Sequence, residues 1–426
     1  MMLYNSVLLQ KRTPLIKNLI VDVPYSKSIS NRLLVIRHLA GSNATINNLS
    51  DSDDTQMLNQ FLQQIENKKN NTFNCKNAGT TFRFLLALLS VTEGKWELFA
   101  DKRMWQRPVL PLVDVLNSLG ADIRINHSGE FFVVTIIGKK LVGNKTIEIK
   151  ENLTSQIVSA LLLISPNIEG ELSIVLPHLQ TSMPYIDMTI SLINKCNGQI
   201  RKMYNQLVCR QSRYFFNEIT IEKDFSCVSF FYLYVYAGKL QNIRVNHLQT
   251  SILQADAVCV NLFKNLGILT LFDEKGAVLS YEESLVAENQ ELEFDLLDCP
   301  DLFCPIVVAS YLSDKKVFIK NIASLRVKES NRIENMIKEL NKLGDRCKEE
   351  KDCVIIDSFD KDGFVDKVQN SSFSFNTYND HRIAMSLSAI SFVCKEIEIE
   401  NPNCVEKSFV DFWRQAEKFF TICYQN

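Results

Sequence analysis

No apolar run in this 426-residue chain approaches the roughly 20 residues needed to span a bilayer; Leu85–Leu89 is far too short. The N-terminus lacks the apolar core and small-residue cleavage site of a secretory signal, so a cytoplasmic location is expected. Charge of one sign is also missing. Lys and Arg number 47 against 49 Asp and Glu, a net of −2, which argues against a general affinity for nucleic acid. The twelve cysteines, from Cys75 to Cys423, include no Cys-x-x-Cys pair, and Cys299 and Cys304 have no His at ligand spacing. Neither a zinc site nor a disulfide framework is indicated; reduced thiols filling core positions are. There is no Gly-x-x-x-x-Gly-Lys-Ser/Thr loop, no Gly-x-Gly-x-x-Gly fingerprint and no Gly-x-Ser-x-Gly elbow. Binding of ATP or a dinucleotide by those loops, and the serine-hydrolase elbow, are therefore not expected. A Pro/Ser-rich tether is absent too, although the chain is too long for one ordinary core. Two domains without a linker are the expectation.

One local pattern recurs. A helical stretch ends at a Gly, and a strand-like run follows. It is seen at Leu119-Gly120 before 121–125, at Asn197-Gly198 before 199–202, and at Leu266-Gly267 before 268–272, with a further copy at Leu343-Gly344. Gly suits the left-handed position that closes a helix. The copies lie roughly 70–80 residues apart, which implies a repeated α/β unit, six over the whole chain. The stretch 54–65 supplies the helix of a trimmed first unit, and 380–393 that of the last. Other helices are expected over 79–90, over 109–119 opened by Pro108, over 157–163 capped by Thr154 and Ser155, and over 185–195 opened by Pro184. The polar run 66–74 reads as an exposed loop.

The stretch that organises the chain is Pro24-Tyr-Ser-Lys-Ser-Ile-Ser-Asn-Arg32. A short apolar strand, 19–23, precedes it. Ile29, Leu33, Ile36 and Ala40 follow at helical spacing. Ser26, Lys27 and Ser28 thus stand at a helix N-terminus, where free N–H groups and the dipole attract anions. Arginines recur in such places: Arg83 after Asn77-Ala-Gly79-Thr-Thr, Arg107 before Pro108, Arg326 to Arg332 before an apolar-spaced helix, and Arg382 in Tyr378-Asn-Asp-His-Arg382. Each alone reads more readily as a solvated loop arginine. A helix start is a poor location for a cation, so its repetition points to small polyanionic ligands. Glu329 and Asp301, beside these cations, are acid–base candidates, with helix capping as the plain alternative. His381 reads either as a structural histidine or as a site member.

Taken together, Ser26-Lys-Ser-Ile-Ser-Asn-Arg32, Asn77-Ala-Gly-Thr-Thr-Phe-Arg83, Arg107-Pro108, Thr154-Ser-Gln156, Pro184-Tyr-Ile-Asp187, Arg326-Val-Lys-Glu329 with Arg332, and Tyr378-Asn-Asp-His-Arg382 resemble the 5-enolpyruvylshikimate-3-phosphate synthase family, the 3-phosphoshikimate 1-carboxyvinyltransferases. The resemblance runs from about 21 to 409. It implies a two-domain inverse α/β barrel, each domain three copies of a small α/β repeat, with the active site in the interdomain cleft. Domain one would be 1–22 plus 222–426, and domain two 23–221. It implies transfer of the enolpyruvyl group of phosphoenolpyruvate to the 5-hydroxyl of 3-phosphoshikimate, with release of phosphate, in aromatic amino acid biosynthesis. No metal or organic cofactor is implied. The expected partners are these two small molecules, with no nucleic acid and no membrane, and a monomer is expected.

Residue by residue, the resemblance assigns 3-phosphoshikimate to Ser28, Arg32, Thr154, Ser155, Gln156, Ser182, Asp301 and Lys328. It assigns phosphoenolpyruvate to Lys27, Gly79, Arg107, Gln156, Arg326, Arg382 and Lys407, with Asn77 also at the binding site. Asp301 would take the proton of the attacking hydroxyl. Glu329 and Lys27 would deliver a proton to the methylene carbon and later remove one. Gly79 implies sensitivity to glyphosate. The chain departs from the family pattern at Tyr25, at Met183 beside Ser182, at Lys223 in place of a common hinge Gly, and in the short stretch 54–77. The rival readings are a UDP-N-acetylglucosamine enolpyruvyl transferase and a catalytically degenerate anion-binding homologue. The first would carry Lys-Asn where Lys27-Ser28 stands, and a cysteine in the loop near Arg107. The second would have lost Lys27, Asp301, Glu329 or Arg382.

Overall fold

The computed structural model describes residues 4–13, 18–41, 44–128, 131–150, 154–178, 180–359 and 368–426. The chain divides into two compact units, Met1–Pro24 with Glu222–Asn426, and Tyr25–Ile221. Each is built from copies of one motif. A strand is followed by a helix and a second strand parallel to the first, then by a hairpin that adds two antiparallel strands. Thus Thr72–Asn74 lies parallel to Gly94–Asp101, which pairs antiparallel with Phe131–Gly138, itself paired with Asp122–Ser128. The same order of parallel and antiparallel pairings recurs in the sheet of Lys145–Glu148, Glu171–Val175, Gln206–Arg210 and Gln199–Met203. It recurs again in the sheet of Glu291–Asp295, Lys316–Lys320, Cys353–Ile356 and Cys347–Glu350. Among the described residues there are five four-stranded sheets and one two-stranded sheet. The short one pairs Thr45–Asn47 with Glu218–Thr220. It lacks the hairpin, and it belongs to the unit that is short in sequence between 54 and 77.

Hydrophobicity dictates which element goes inside. The Phe303–Tyr311 helix has no polar face and is buried at every residue. The Gly79–Val91, Ser155–Ile164 and Phe225–Gly238 helices are nearly as apolar and nearly as buried. The strands alternate instead, as in the exposed–buried pattern of Glu291–Asp295 and Glu171–Val175, which is the mark of a sheet with one solvated face. In each unit, helices therefore form the core and sheets the outer wall. The unit of residues 222–426 closes its core with aromatic side chains, Tyr234 packing against Phe392, Phe412, Phe419 and Phe420 at 5.2–6.3 Å.

Several local expectations need correction. The helix after Arg107 runs Leu110–Ser118 with Pro111 in its first turn, so Pro108 lies in the preceding loop. The run 66–74 is not all loop, because Thr72–Asn74 is a strand. Of the glycines placed at helix ends, Gly120 takes a positive φ of 99°. At the second copy it is Asn197 (φ 68°) that turns left-handed, as Asn tolerates this conformation. Gly267 (φ 93°) lies inside the Leu266–Asp273 strand, at a register shift between Leu266 and Ile268, so it makes a bulge rather than a helix end. Gly344 is not in the left-handed region.

Candidate active site

In the unit of residues 25–221 the functional candidates gather at helix starts. Ser26, 1% exposed, caps the Lys27–Ala40 helix by accepting from the Ile29 N–H at 3.4 Å. That puts Lys27 on the first helical residue. Its Nζ lies 3.4 Å from Asp54 Oδ2, near the start of the Asp53–Glu66 helix. Thr81 of the neighbouring Gly79–Val91 helix donates to the Asp54 carbonyl at 3.0 Å, so three helix starts are tied together there. One turn on, the buried Arg32 donates to Thr189 Oγ1 at 2.7 Å, Ser28 O at 2.8 Å, Ser159 Oγ at 3.1 Å and Tyr185 O at 3.3 Å. All are neutral acceptors, and among the described residues no carboxylate pairs with it. Burial pushes its guanidinium down to about 10. A buried cation held by dipoles alone is prepared for an anion to complete it.

Arg83 organises the other side. It donates to Gln156 Oε1 at 2.7 Å, to Pro108 O at 2.9 and 3.1 Å, and to Gly79 O at 3.2 Å. Gln156 in turn donates to Thr80 Oγ1 at 3.1 Å. Thr154 caps the Ser155–Ile164 helix, accepting from the Gln156 N–H. The Arg107 guanidinium, 5% exposed, lies directly over Gly79: a Cβ there would fall 2.6 Å from Cζ and Nη1. Arg107 also donates to Asn77 O at 3.5 Å. Ser182, 7% exposed, starts the Met183–Lys195 helix with φ 59°, an uncommon conformation for a residue with a side chain.

The other unit holds a second cluster, built on one guanidinium. Arg332 is the first residue of the Arg332–Leu340 helix and 1% exposed. It donates to Asp301 Oδ1 at 3.0 Å, Glu329 Oε2 at 2.7 Å and Asp380 Oδ2 at 2.9 Å. Burial works against its charge, but Asp380, Glu329 and Asp301 outweigh that and hold its pKa well above the ordinary value. Asp380 caps the His381–Leu387 helix through the Arg382 N–H at 3.0 Å. Arg382 reaches Asp301 Oδ2 at 2.9 Å and its carbonyl at 3.1 Å, and Lys328 Nζ lies 3.6 Å from Asp301 Oδ1. Burial alone would raise the Asp301 pKa, yet Arg382, Lys328 and Arg332 override it and hold the carboxyl well below the usual range. His381 is buried, its Nδ1 3.8 Å from Asp380 Oδ1. Asp256, 2% exposed, accepts from Ser226; burial first and Asp301 second push its carboxyl up to about 6.

Lys27, Ser28, Arg32, Asn77, Gly79, Arg107, Thr154, Ser155, Gln156 and Ser182 thus fall in one unit, and Asp301, Lys328, Glu329, Arg382 and Lys407 in the other. Lys407 ends the Pro402–Lys407 turn, which packs on the Arg382 helix. Arg326 stands apart: it is exposed and forks onto Glu349 with both Nη atoms. The residue that sequence reasoning left unassigned is Arg332. Its signal was position, three residues after Glu329 at a helix start. Arg83 was noted at a helix start but not as the partner of Gln156, and Asp54 and Asp380 were missed as supports, since a carboxylate aimed at another helix has no local signature. Among the described residues, no group of three or more His, Cys, Asp or Glu could hold a metal ion, and no helix is long and apolar enough to cross a membrane.

The fold is that of the enolpyruvyl transferases. An EPSP synthase structure from Acinetobacter baumannii matches with a TM-score of 0.74 over 99% of this chain and 100% of that one, at 19% identity. The enolpyruvyl transferase NikO from Streptomyces tendae matches with a TM-score of 0.71 over 99% of each chain, at 14% identity. The model of the EPSP synthase (3-phosphoshikimate 1-carboxyvinyltransferase) family matches residues 61–416, and the chain belongs to that family. Among its relatives, the 3-phosphoshikimate 1-carboxyvinyltransferase of Bacteroides fragilis (strain YCH46) is 32% identical over 399 residues, 93% of this chain and 94% of the relative. That of Buchnera aphidicola subsp. Cinara cedri (strain Cc) is 32% identical over 433 residues, 95% of this chain and 94% of the relative.

Proposed function

We propose that the chain transfers the enolpyruvyl group of phosphoenolpyruvate to the 5-hydroxyl of 3-phosphoshikimate, releasing phosphate. The observation that carries this beyond family membership is the pairing of Asp301 and Glu329 on the single buried guanidinium of Arg332. Two carboxylates, one shared cation and further cations on Asp301 are what an addition–elimination between anions needs.

In the addition, the 5-hydroxyl oxygen bonds to C2 of phosphoenolpyruvate. Asp301 takes the hydroxyl proton, and Glu329 or Lys27 gives one to C3, turning the methylene into a methyl. In the elimination, the C2–O bond to phosphate breaks, the proton held by Asp301 passes to the departing phosphate, and a proton leaves C3 to the group that had delivered one. Arg32, with Ser28, Thr154, Ser155, Gln156, Ser182 and Lys328, serves 3-phosphoshikimate. Lys27, Arg107 over Gly79, Arg382 and Lys407 serve phosphoenolpyruvate. For the cation in the stretch 326–332 we assign Arg332, because it lies on Asp301 and Glu329, whereas Arg326 is exposed on Glu349, away from them. Asp301 held by three cations is a weak base. An anionic substrate that takes up Arg382 and Lys328 lifts its affinity for a proton, so basicity arrives with the substrate. We read the protein as a cytoplasmic monomer.

The test is phosphate release from phosphoenolpyruvate, with and without 3-phosphoshikimate, in the presence of a chelator. Release that requires 3-phosphoshikimate, and that falls steeply in Lys27→Met and Glu329→Gln, is expected. Turnover with UDP-N-acetylglucosamine, or tight 3-phosphoshikimate binding with no release, would overturn the reading. Lys27 is followed by Ser28 and the loop at Arg107 holds no cysteine, so nothing favours the UDP-sugar reading.

A further inference from the structure

Two residues before the Asp380 cap, the chain enters an unusual conformation. Tyr378 (φ 50°) and Asn379 (φ 61°) are consecutive residues with side chains in the left-handed region. Asn tolerates this conformation, but Tyr378 is strained there by about 1 kcal/mol or more, so the surroundings must hold it. The structure shows what does. Glu339, two turns along the helix that begins at Arg332, is 1% exposed. Its Oε1 accepts from the Tyr378 hydroxyl at 2.6 Å, and its Oε2 accepts from the Asn376 N–H at 3.0 Å and from Lys342 Nζ at 2.5 Å. Lys342 also donates to the Ser374 carbonyl at 2.8 Å. Inside the turn, Asn376 Oδ1 accepts from the Tyr378 N–H at 2.6 Å, and the Asp380 N–H donates to Thr377 O at 2.8 Å. The far side is held by Asn401, which donates to Asn379 Oδ1 at 2.7 Å. The helix therefore grips the 376–380 turn at two points, Arg332 on Asp380 at its start and Glu339 on Tyr378 and Asn376 further along.

We infer that Glu339 and Tyr378 are positioning residues: their clamp holds the strained 376–380 turn so that Asp380 caps the following helix and aims Arg382 at the site. A two-point grip fixes the angle of the turn to the helix, which Arg332–Asp380 alone leaves free. A buried carboxylate that spends its acceptors on a tyrosine hydroxyl, a backbone N–H and one lysine contributes nothing direct to substrate. Its consequence is where Arg382 stands. The consequence for phosphoenolpyruvate rests on the proposed function, since there Arg382 binds that substrate.

Tyr378→Phe removes only the hydroxyl, and Glu339→Gln keeps the shape and removes the charge. Two readouts are needed. The first is amide hydrogen exchange at 376–382, including the Arg382 N–H that donates to Asp380. It needs no turnover, so it reports on the clamp even if the functional reading fails. The second is the pair of KM values. Loss of one buried hydrogen bond predicts a rise in KM for phosphoenolpyruvate of about fivefold, with KM for 3-phosphoshikimate unchanged and exchange at 376–382 accelerated. The double variant Tyr378→Phe/Glu339→Gln should fall short of the sum of the two single ones, because they share the Tyr378–Glu339 contact, while Glu339→Gln also alters the contacts to Asn376 and Lys342. Unchanged exchange at 376–382 in both variants overturns the inference. So does accelerated exchange with unchanged KM for phosphoenolpyruvate in a chain whose wild type turns over. A wild type without turnover refutes the proposed function and leaves exchange at the Arg382 amide to decide the clamp.

Discussion

Arg332 and Arg326 are six positions apart in one charged stretch, and only the fold separates them. Arg332 is buried among three carboxylates, whereas Arg326 is exposed on Glu349. Replacing a buried, forked guanidinium by an ammonium leaves carboxylates without partners. Arg332→Lys should therefore lower kcat/KM by about 10²-fold or more. Arg326→Lys loses only the fork of an exposed pair and should cost about threefold at most. Steady-state kinetics on the two purified variants, with circular dichroism to confirm folding, distinguishes them. Gly79 is a second case. The sequence shows a glycine at a helix start, a common enough thing, but the Arg107 guanidinium lies where a Cβ would go. Gly79→Ala should push that guanidinium aside and raise KM for phosphoenolpyruvate by about tenfold, with kcat nearly unchanged. A change in kcat with KM fixed would mean that Arg107 acts on the transition state rather than on binding.

Helices carry most of the chemistry through their first turns, and these were legible for a physical reason. Apolar residues at helical spacing followed Ser26, Thr154 and Asp380, which cap through local hydrogen bonds. Ends were less legible. Asn197 and Gly267 show that the left-handed residue is chosen by what the next strand needs, and the strand is a tertiary partner. Buried carboxylates that neither cap a helix nor lie beside a cation in sequence were not legible, because a short turn such as 255–258 does not say what it packs against. Asp256 is the example, and its charge has a measurable consequence. Its pKa is raised to about 6, by burial and then by Asp301, from an ordinary value near 4. The folded state therefore binds this proton more tightly than the unfolded state. The group's contribution to stability is greatest below about pH 4, declines as pH rises to about 6, and stays unfavourable above that. Asp256→Asn should remove that decline and stabilise the protein at pH 7.5 relative to wild type, measured as urea midpoints between pH 4.5 and 7.5. A midpoint that falls at pH 7.5 would show that Arg382 needs the Asp256 charge more than burial penalises it.

At the scale of the molecule, the two chain ends belong to one sheet. The Ser6–Lys11 strand lies between Glu396–Glu400 and Phe420–Gln425, antiparallel to both, and completes the last repeat. Val7 and Leu9 are fully buried there. Leu9→Ala should thus cost about 2–5 kcal/mol, as a core leucine does, although it sits near a terminus where little loss would otherwise be expected. Chemical unfolding measures this directly. At the crossover, Lys223, 4% exposed, donates at 2.7 Å to both Asp22 Oδ1 and Val23 O, which fastens the two segments of its own unit where a glycine would leave them loose. The repeat itself was legible from spacing, since each copy must bury one apolar helix and end one strand within a similar length. The short first copy was legible as missing residues. The sequence by itself determined the class of fold, the helix starts and the gathering of cations at them, because periodicity, capping and charge are local properties written at fixed intervals. The tertiary structure alone decided which side chain meets which: Arg332 rather than Arg326 on Asp301 and Asp380, Arg107 over Gly79, Glu339 on Tyr378. Those choices depend on distances between segments tens of residues apart, which only packing sets.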